Sequence, residues 1–84
     1  MSNKKAFLIS DIEDYGKLIS FCIQNDISVF RTYWDDRERG YRCYNIDWLQ
    51  KRCFYSSRQY YEDNGYLILV PHFVLDDFGY YKIV

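Results

Sequence analysis

The sequence holds few of the residues that usually carry out chemistry or cross-link a small fold. Its 84 residues include one His, His72, one Pro and three Cys, Cys22, Cys43 and Cys53. The cysteines are odd in number and have no C-x-x-C spacing, so neither a disulfide framework nor a cysteine-based zinc site is expected. Free cysteines within periodic segments are typical of small buried hydrophobes in a reducing compartment, which predicts a cytoplasmic location.

Long hydrophobic runs are also missing. The apolar segment 6–9 is too short for the core of a signal peptide, and the polar segment 10–14 follows it at once. No stretch approaches the roughly 20 apolar residues that a membrane-spanning helix needs. We therefore expect no association with a membrane, and the length predicts a single small α+β domain over residues 1–84.

Aromatic residues, in contrast, are abundant, with ten Tyr, six Phe and two Trp. Each buried ring removes roughly 150–250 Å² from water. A domain of this size buries only about 60–65% of the surface that its unfolded chain exposes. One small core cannot hide all of this ring surface, so the composition predicts rings that face outward and contact a partner.

Charge is unevenly distributed along the chain, although the formal net charge is only −1. Residues 31–58 carry seven basic and four acidic side chains, a difference of +3, whereas residues 59–84 carry one basic and four acidic, a difference of −3. This pattern predicts a basic surface and an acidic surface, each suited to a charged partner. The alternative is ordinary solvated surface with interspersed ion pairs.

Capping residues and hydrophobic periodicity predict two helices. Ser10 and Glu13 have the spacing of a capping box, so a helix is expected to begin at Ser10 and to end at Asn25-Asp26. Asp47 and Gln50 repeat this spacing and predict a second helix that ends at Asn64-Gly65. The alternating or apolar runs that predict strands are residues 5–10, 27–34, 41–46, 66–70, 73–75 and 80–84.

The predicted order is βαββαβ followed by one more hairpin. Residues 27–34 and 41–46 are expected to pair as a hairpin, and so are residues 73–75 and 80–84. This order predicts a ferredoxin-like antiparallel sheet with a C-terminal β extension. The alternative is a different α+β sheet in which the last hairpin is central rather than appended.

Catalytic and metal-binding motifs do not stand out from what chance provides. His72 could meet Cys43 or Cys53 and an acid in space, but three cysteines and twelve acids make such a meeting easy to arrange. The acidic pairs at turns and helix ends are explained by capping and turn chemistry, without a bound cation. We therefore expect a protein that is not an enzyme and has no metal and no cofactor; a small nucleotide-like ligand held between rings stays open.

The basic, aromatic middle of the chain is the predicted contact surface. Tyr, Trp and Arg are the residue types that dominate the binding energy of protein interfaces. The same types bind single-stranded nucleic acid, where rings stack on bases and guanidinium groups meet phosphates. The candidate contact residues are Arg31, Tyr33, Trp34, Arg37, Arg39, Tyr41, Arg42, Tyr44, Trp48, Arg52 and Tyr55.

Binding, rather than catalysis, is therefore the function that the sequence favours. We expect a phage-type or accessory inhibitor that blocks a host protein, with a protein that handles nucleic acid as one option. Residue types with AT-rich codons predominate over those with GC-rich codons, as in many phage and low-GC bacterial genes. The alternative is a single-stranded nucleic-acid-binding module that uses an Arg/aromatic hairpin face. Two further options are an acidic C-terminal third that imitates a phosphate backbone, and a homodimer formed through an edge strand.

Overall fold

The computed structural model describes residues 4–29 and 43–84. Within these ranges the chain forms two helices and seven strands. In chain order they are β1 (Lys5–Leu8), α1 (Ile12–Gln24), β2 (Ser28–Val29), β3 (Cys43–Asp47), β4 (Arg52–Ser56), α2 (Arg58–Asp63), β5 (Leu67–Leu69), β6 (Phe73–Leu75) and β7 (Tyr81–Ile83).

Five of these strands form one mixed sheet, and β6 and β7 form a separate antiparallel pair. The order in the large sheet is β2-β4-β3-β1-β5. β3 is antiparallel to both of its neighbours, whereas β1 and β5 are parallel, as are β2 and β4. The chain is thus a mixed α+β fold, as expected, but the ferredoxin-like antiparallel plan is wrong.

The first helix lies close to where the sequence places it. Its N-cap is Asp11 rather than Ser10, and the Asp11 side chain accepts a hydrogen bond from the backbone N–H of Asp14 at 2.8 Å. Its C-cap is Asn25, as predicted, and Asp26 then takes a left-handed conformation with φ 57°. Ser and Asp are both favoured N-cap residues, so the cap can lie one residue later than predicted without loss of the helix.

The second predicted helix is wrong over most of its length. Residues 52–56 form β4, and α2 begins only at Arg58, with Ser57 as its N-cap. Asp47 accepts hydrogen bonds from the amides of Leu49 and Gln50, as a capping residue does, but the chain then reverses at Lys51. An aspartate can satisfy the same two amides in a turn or in a first helical turn, so its spacing does not decide between them.

Of the predicted hairpins, one is confirmed. β6 and β7 pair with Phe73 opposite Ile83 and Leu75 opposite Tyr81. The other predicted hairpin lies partly outside the described residues, and its described parts, β2 and β3, are not neighbours, because β4 lies between them. The predicted strand over residues 66–70 is present as β5.

The two helices cover opposite faces of the large sheet. One buried cluster joins Leu18 and Phe21 of α1 to Tyr44 and Cys53 of the sheet, and the β6–β7 pair packs against it. A second buried cluster joins Tyr61 of α2 to Ala6 and Cys43, and the next β1 residue after Ala6, Phe7, belongs to the first cluster. Since successive strand residues point to opposite faces, the sheet is the middle of three layers.

Candidate binding surface

A tight turn between β3 and β4 presents two large apolar side chains at one end of the sheet. The Asp47 Oδ1 atom accepts hydrogen bonds from the N–H groups of Leu49 and Gln50, both at 3.1 Å. Lys51 closes the turn with φ 57°, and its carbonyl accepts from the Ser28 N–H at 2.8 Å. The turn is therefore held from both sides, by its own aspartate and by the neighbouring strand.

Trp48, at the start of this turn, is half-exposed at 51%, and its inner edge is packed. The indole meets the ring of Phe21 edge-on, with the centroids 5.9 Å apart and the planes at 88°. The Lys51 ammonium lies 5.3 Å from the indole centroid. Leu49, next in the turn, is 95% exposed. A ring fixed on one side and open on the other needs little ordering when it binds, which favours its use as an anchor.

A first cleft, of about 600 Å³, opens beside this turn between β1 and β3. These strands pair at Phe7 opposite Tyr44 and at Leu8 opposite Cys43. β1 goes on pairing with β5 back to Lys5, and β3 goes on pairing with β4 as far as Asp47. The cleft lies where the pairing between β1 and β3 stops, and its lining is Lys4, Lys5, Phe7, Asn45, Ile46, Asp47, Trp48, Leu49 and Tyr66.

A second cleft, of about 650 Å³, lies on the α1 side of the same sheet end. Four rings line it, those of Phe7, Phe21, Trp48 and Tyr81. Trp48 also lines the first cleft, as do Lys5, Phe7 and Ile46. The two clefts therefore meet at the indole, and we call the turn residues Trp48 and Leu49 with both clefts the Trp48 surface.

The predicted contact residues fall into three groups. Trp48 is on this surface, and Arg52, opposite Asp47 in the β3–β4 ladder, is exposed nearby. Tyr44 is buried, at 4% exposure, between the rings of Tyr15 and Tyr55, each 6.1 Å from it, and Tyr55 is partly buried against the same core. The remaining predicted residues, which lie outside the described ranges, are Arg31, Tyr33, Trp34, Arg37, Arg39, Tyr41 and Arg42.

Sequence reasoning missed the residues that surround Trp48. Leu49 fell on the apolar face of the predicted second helix, although it is the most exposed large hydrophobic residue of the described chain. Lys4 precedes β1 and Lys5 begins it, but both lie beside the β3–β4 turn only in the folded sheet. Only the pairing order of the strands brings these segments together, and the sequence carries no local signal for it.

The residues considered for catalysis are far less suited to it in the fold. Cys43 and Cys53 are buried, while His72 is exposed. Burial raises the pKa of Cys43, and a hydrogen bond to Cys22 together with burial raises the pKa of Cys53. A thiol with a raised pKa holds little thiolate at neutral pH and is a weak nucleophile.

Two structural features bear on metals and membranes. Within residues 4–29 and 43–84, no group of three His, Cys, Asp or Glu side chains could hold a metal ion. Neither of the helices in these ranges is long and apolar enough to cross a membrane.

Comparison with known proteins adds no relatives. No family model matches the chain, and neither a curated protein nor a solved structure matches it.

Proposed function

We propose that this chain is a small binding protein that attaches to another protein through the Trp48 surface and blocks it sterically. The observation that carries the proposal is the pair of apolar side chains on a braced turn, Trp48 and Leu49, beside clefts with apolar and aromatic walls. Interface hot spots are typically a few large anchors of this kind, surrounded by a polar rim.

The bracing of the turn supports this use of the surface. A single exposed Leu needs no explanation, but adjacent exposed apolar side chains that form a patch often mark an interaction site. Here the two apolar side chains of the turn are adjacent, and the Asp47 hydrogen bonds and the Phe21 contact hold them in place before any partner arrives. Such pre-organisation reduces the entropy lost on binding.

Attachment without catalysis needs only that the partner's own site be covered. An inhibitor of this size can act by binding through the Trp48 surface and so preventing other molecules from reaching the partner's site. The identification of the blocked protein as a host protein of a phage stays a prediction from the amino-acid composition. A second copy of the chain as partner is a separate outcome, which the molecular mass of the purified chain in solution decides.

Affinity capture tests the proposal directly. The purified chain is immobilised and exposed to a lysate of the cells in which its gene is expressed, at about 0.15 M salt. We expect one stoichiometric partner, lost with Leu49→Ala and with Trp48→Ala. Ile12→Ala is the matched control, because Ile12 is also exposed but lies at the start of α1 and lines neither cleft. Loss of the partner with Leu49→Ala cannot be ascribed to misfolding, since a side chain so exposed contributes little to the stability of the fold.

Two results would contradict the proposal. One is the absence of any partner for a folded bait. The other is a partner that both Trp48→Ala and Leu49→Ala retain at full yield, because the chain would then bind through a different surface.

A further inference from the structure

The charges around Trp48 narrow the chemistry of the partner. Among the described residues that line the two clefts, three are cationic, Lys4, Lys5 and Lys82, and Asp47 alone is anionic. Lys51 adds a fourth ammonium group, over the indole. The Asp47 carboxylate is already engaged by two backbone amides of its own turn. The surface thus combines an apolar floor with a cationic rim, which suits an acidic partner.

The shape of the first cleft narrows the partner further. β1 and β3 stop pairing after Phe7 and Tyr44, although both strands continue toward the turn. Past that point, the same register would place Lys5 opposite Ile46, and both of these residues line the cleft, whereas Ala6 is fully buried. Strand edges bind extended peptides through main-chain hydrogen bonds, while neighbouring pockets receive alternate side chains.

The residue types that line the clefts favour a peptide over a nucleic acid as the ligand. Phosphate backbones are typically held by Arg forks along a track, with bases stacked on successive rings. No arginine is among the described residues that line these clefts, and the wall beside Trp48 includes the aliphatic side chains of Ile46 and Leu49. An aliphatic and aromatic centre with ammonium groups at its margin is the composition of a protein interface.

We infer that the Trp48 surface binds an extended acidic segment of the partner protein, laid along the cleft between β1 and β3 with an apolar side chain beside the indole. This inference rests on the proposed function and specifies the partner's contact element. Carboxylates of the segment meet Lys5, which lines both clefts, and Lys82, which lines the second, and the backbone of the segment runs beside Lys5 and Ile46.

A displayed library of random twelve-residue peptides tests this inference without knowledge of the partner. The full chain is the bait, and the best peptide is then measured by fluorescence anisotropy at about 0.05 and 0.2 M salt. We expect selected peptides to carry several Asp or Glu around an apolar residue. Affinity should fall at least tenfold with Lys5→Glu, and less than twofold with Lys17→Glu, a matched charge reversal on α1, where Lys17 pairs with Glu13. Binding should also weaken at the higher salt.

The position of the peptide has its own readout. In spectra of the ¹⁵N-labelled chain, the peptide should shift the amide signals of Lys5, Asn45 and Ile46, which line the cleft. Signals of the first turn of α1, such as that of Glu13, which lines neither cleft, should stay in place. Shifts confined to residues away from β1 and β3 would overturn the inference.

The remaining outcomes separate the inference from the proposed function. Selected peptides without acidic residues, or with affinities that Lys5→Glu leaves unchanged, overturn the inference. If a captured partner protein is lost with Leu49→Ala but kept by Lys5→Glu, the inference fails while the proposed function stands. Tighter binding of a fifteen-residue thymidine oligonucleotide than of any selected peptide overturns the inference in favour of nucleic acid. Absence of both peptide and partner overturns the two together.

Discussion

Two turns of this chain share their local chemistry and differ in what lies behind them. Asp47 accepts hydrogen bonds from two later amides and presents Trp48, while Asp76 accepts from the amides of Phe78 and Tyr80 and presents Phe78. Trp48 packs against Phe21 beside two clefts, whereas Phe78 is 87% exposed. An aspartate can stabilise a turn whatever lies behind it, but a ring in that turn is held in place only where it packs against the core.

The charges around the two turns differ in the same way. Lysines surround Trp48, as described above, whereas the other turn carries the adjacent acids Asp76 and Asp77. The second turn is tied to the body of the fold through Gln24, which donates to the Gly79 carbonyl at 2.9 Å and accepts from the Tyr81 N–H at 2.8 Å. The second turn is therefore tied to α1 by side-chain hydrogen bonds, whereas the first is tied to the fold by the Phe21–Trp48 ring contact and by the backbone bond from Ser28 to Lys51.

Replacing the two rings gives the largest contrast. Trp48→Ala should lower the free energy of unfolding by about 2 kcal/mol, because it removes a half-buried ring and its edge contact with Phe21. Phe78→Ala should change it by less than about 0.5 kcal/mol, as for other surface sites. Urea unfolding of both variants measures the difference. Equal effects would mean that the indole is not held against the core.

Cutting the polar tie should separate the β6–β7 hairpin from α1. Gln24→Ala removes both hydrogen bonds and should lower the free energy of unfolding by about 1–2 kcal/mol, since each such bond contributes about 0.5–1.5 kcal/mol. Gln59→Ala is the matched control, because Gln59 makes one exposed bond to Asp63 within α2 and should cost at most about 0.5 kcal/mol. An equal decrease in the free energy of unfolding for both variants would mean that the two Gln24 hydrogen bonds do not hold the hairpin to α1.

The turns also show what the sequence could predict. The hairpin at residues 76–79 is predicted correctly because Gly79 marks the residue with a positive φ, 83°. Lys51 takes φ 57° without a glycine, so no residue in the sequence marks the reversal between β3 and β4. The capping-box spacing of Asp47 and Gln50 therefore predicts a helix over residues where the structure has β4. The long-range packing of Cys53 against α1 decides in favour of a strand.

The candidate site was predictable to a similar degree. Trp48 is among the predicted contact residues because Tyr, Trp and Arg are the residue types of interface hot spots, but the sequence places it on a helix rather than in a turn. Its position between two clefts depends on β1 lying beside β3, and the sheet order follows from pairing that is remote in sequence. The burial of Tyr44 was missed for the same reason, since its neighbours Tyr15 and Tyr55 come from α1 and β4.

The positive-φ residues of these two turns, Gly79 and Lys51, should respond to substitution in opposite directions. Gly79→Ala should lower the free energy of unfolding by about 1–2 kcal/mol, because a Cβ is strained in this conformation although the space around it is open. Lys51→Gly relieves the same strain at the other turn, and should raise the free energy of unfolding by up to about 1 kcal/mol, offset by the greater freedom of Gly when unfolded. Chemical denaturation compares the pair. A Gly79→Ala variant that is more stable than the unmodified chain would contradict the expected backbone strain at this position.

The smallest effect is the pH dependence of the Asp76 turn. A hydrogen bond from the backbone N–H of Tyr80, aided by that of Phe78, lowers the pKa of Asp76 below its ordinary value of 3.8. A carboxylate with a lowered pKa stabilises the fold above that ordinary value, and the contribution disappears as the pH falls through the folded pKa. The melting temperature of Asp76→Ala should therefore lie below that of the unmodified chain near about pH 6, and the gap should narrow below about pH 4. Asp77→Ala removes a carboxylate from the same turn but leaves both Asp76 bonds in place, so its gap should stay small throughout. A gap for Asp76→Ala that is constant with pH would mean that the aspartate acts through its shape rather than its charge.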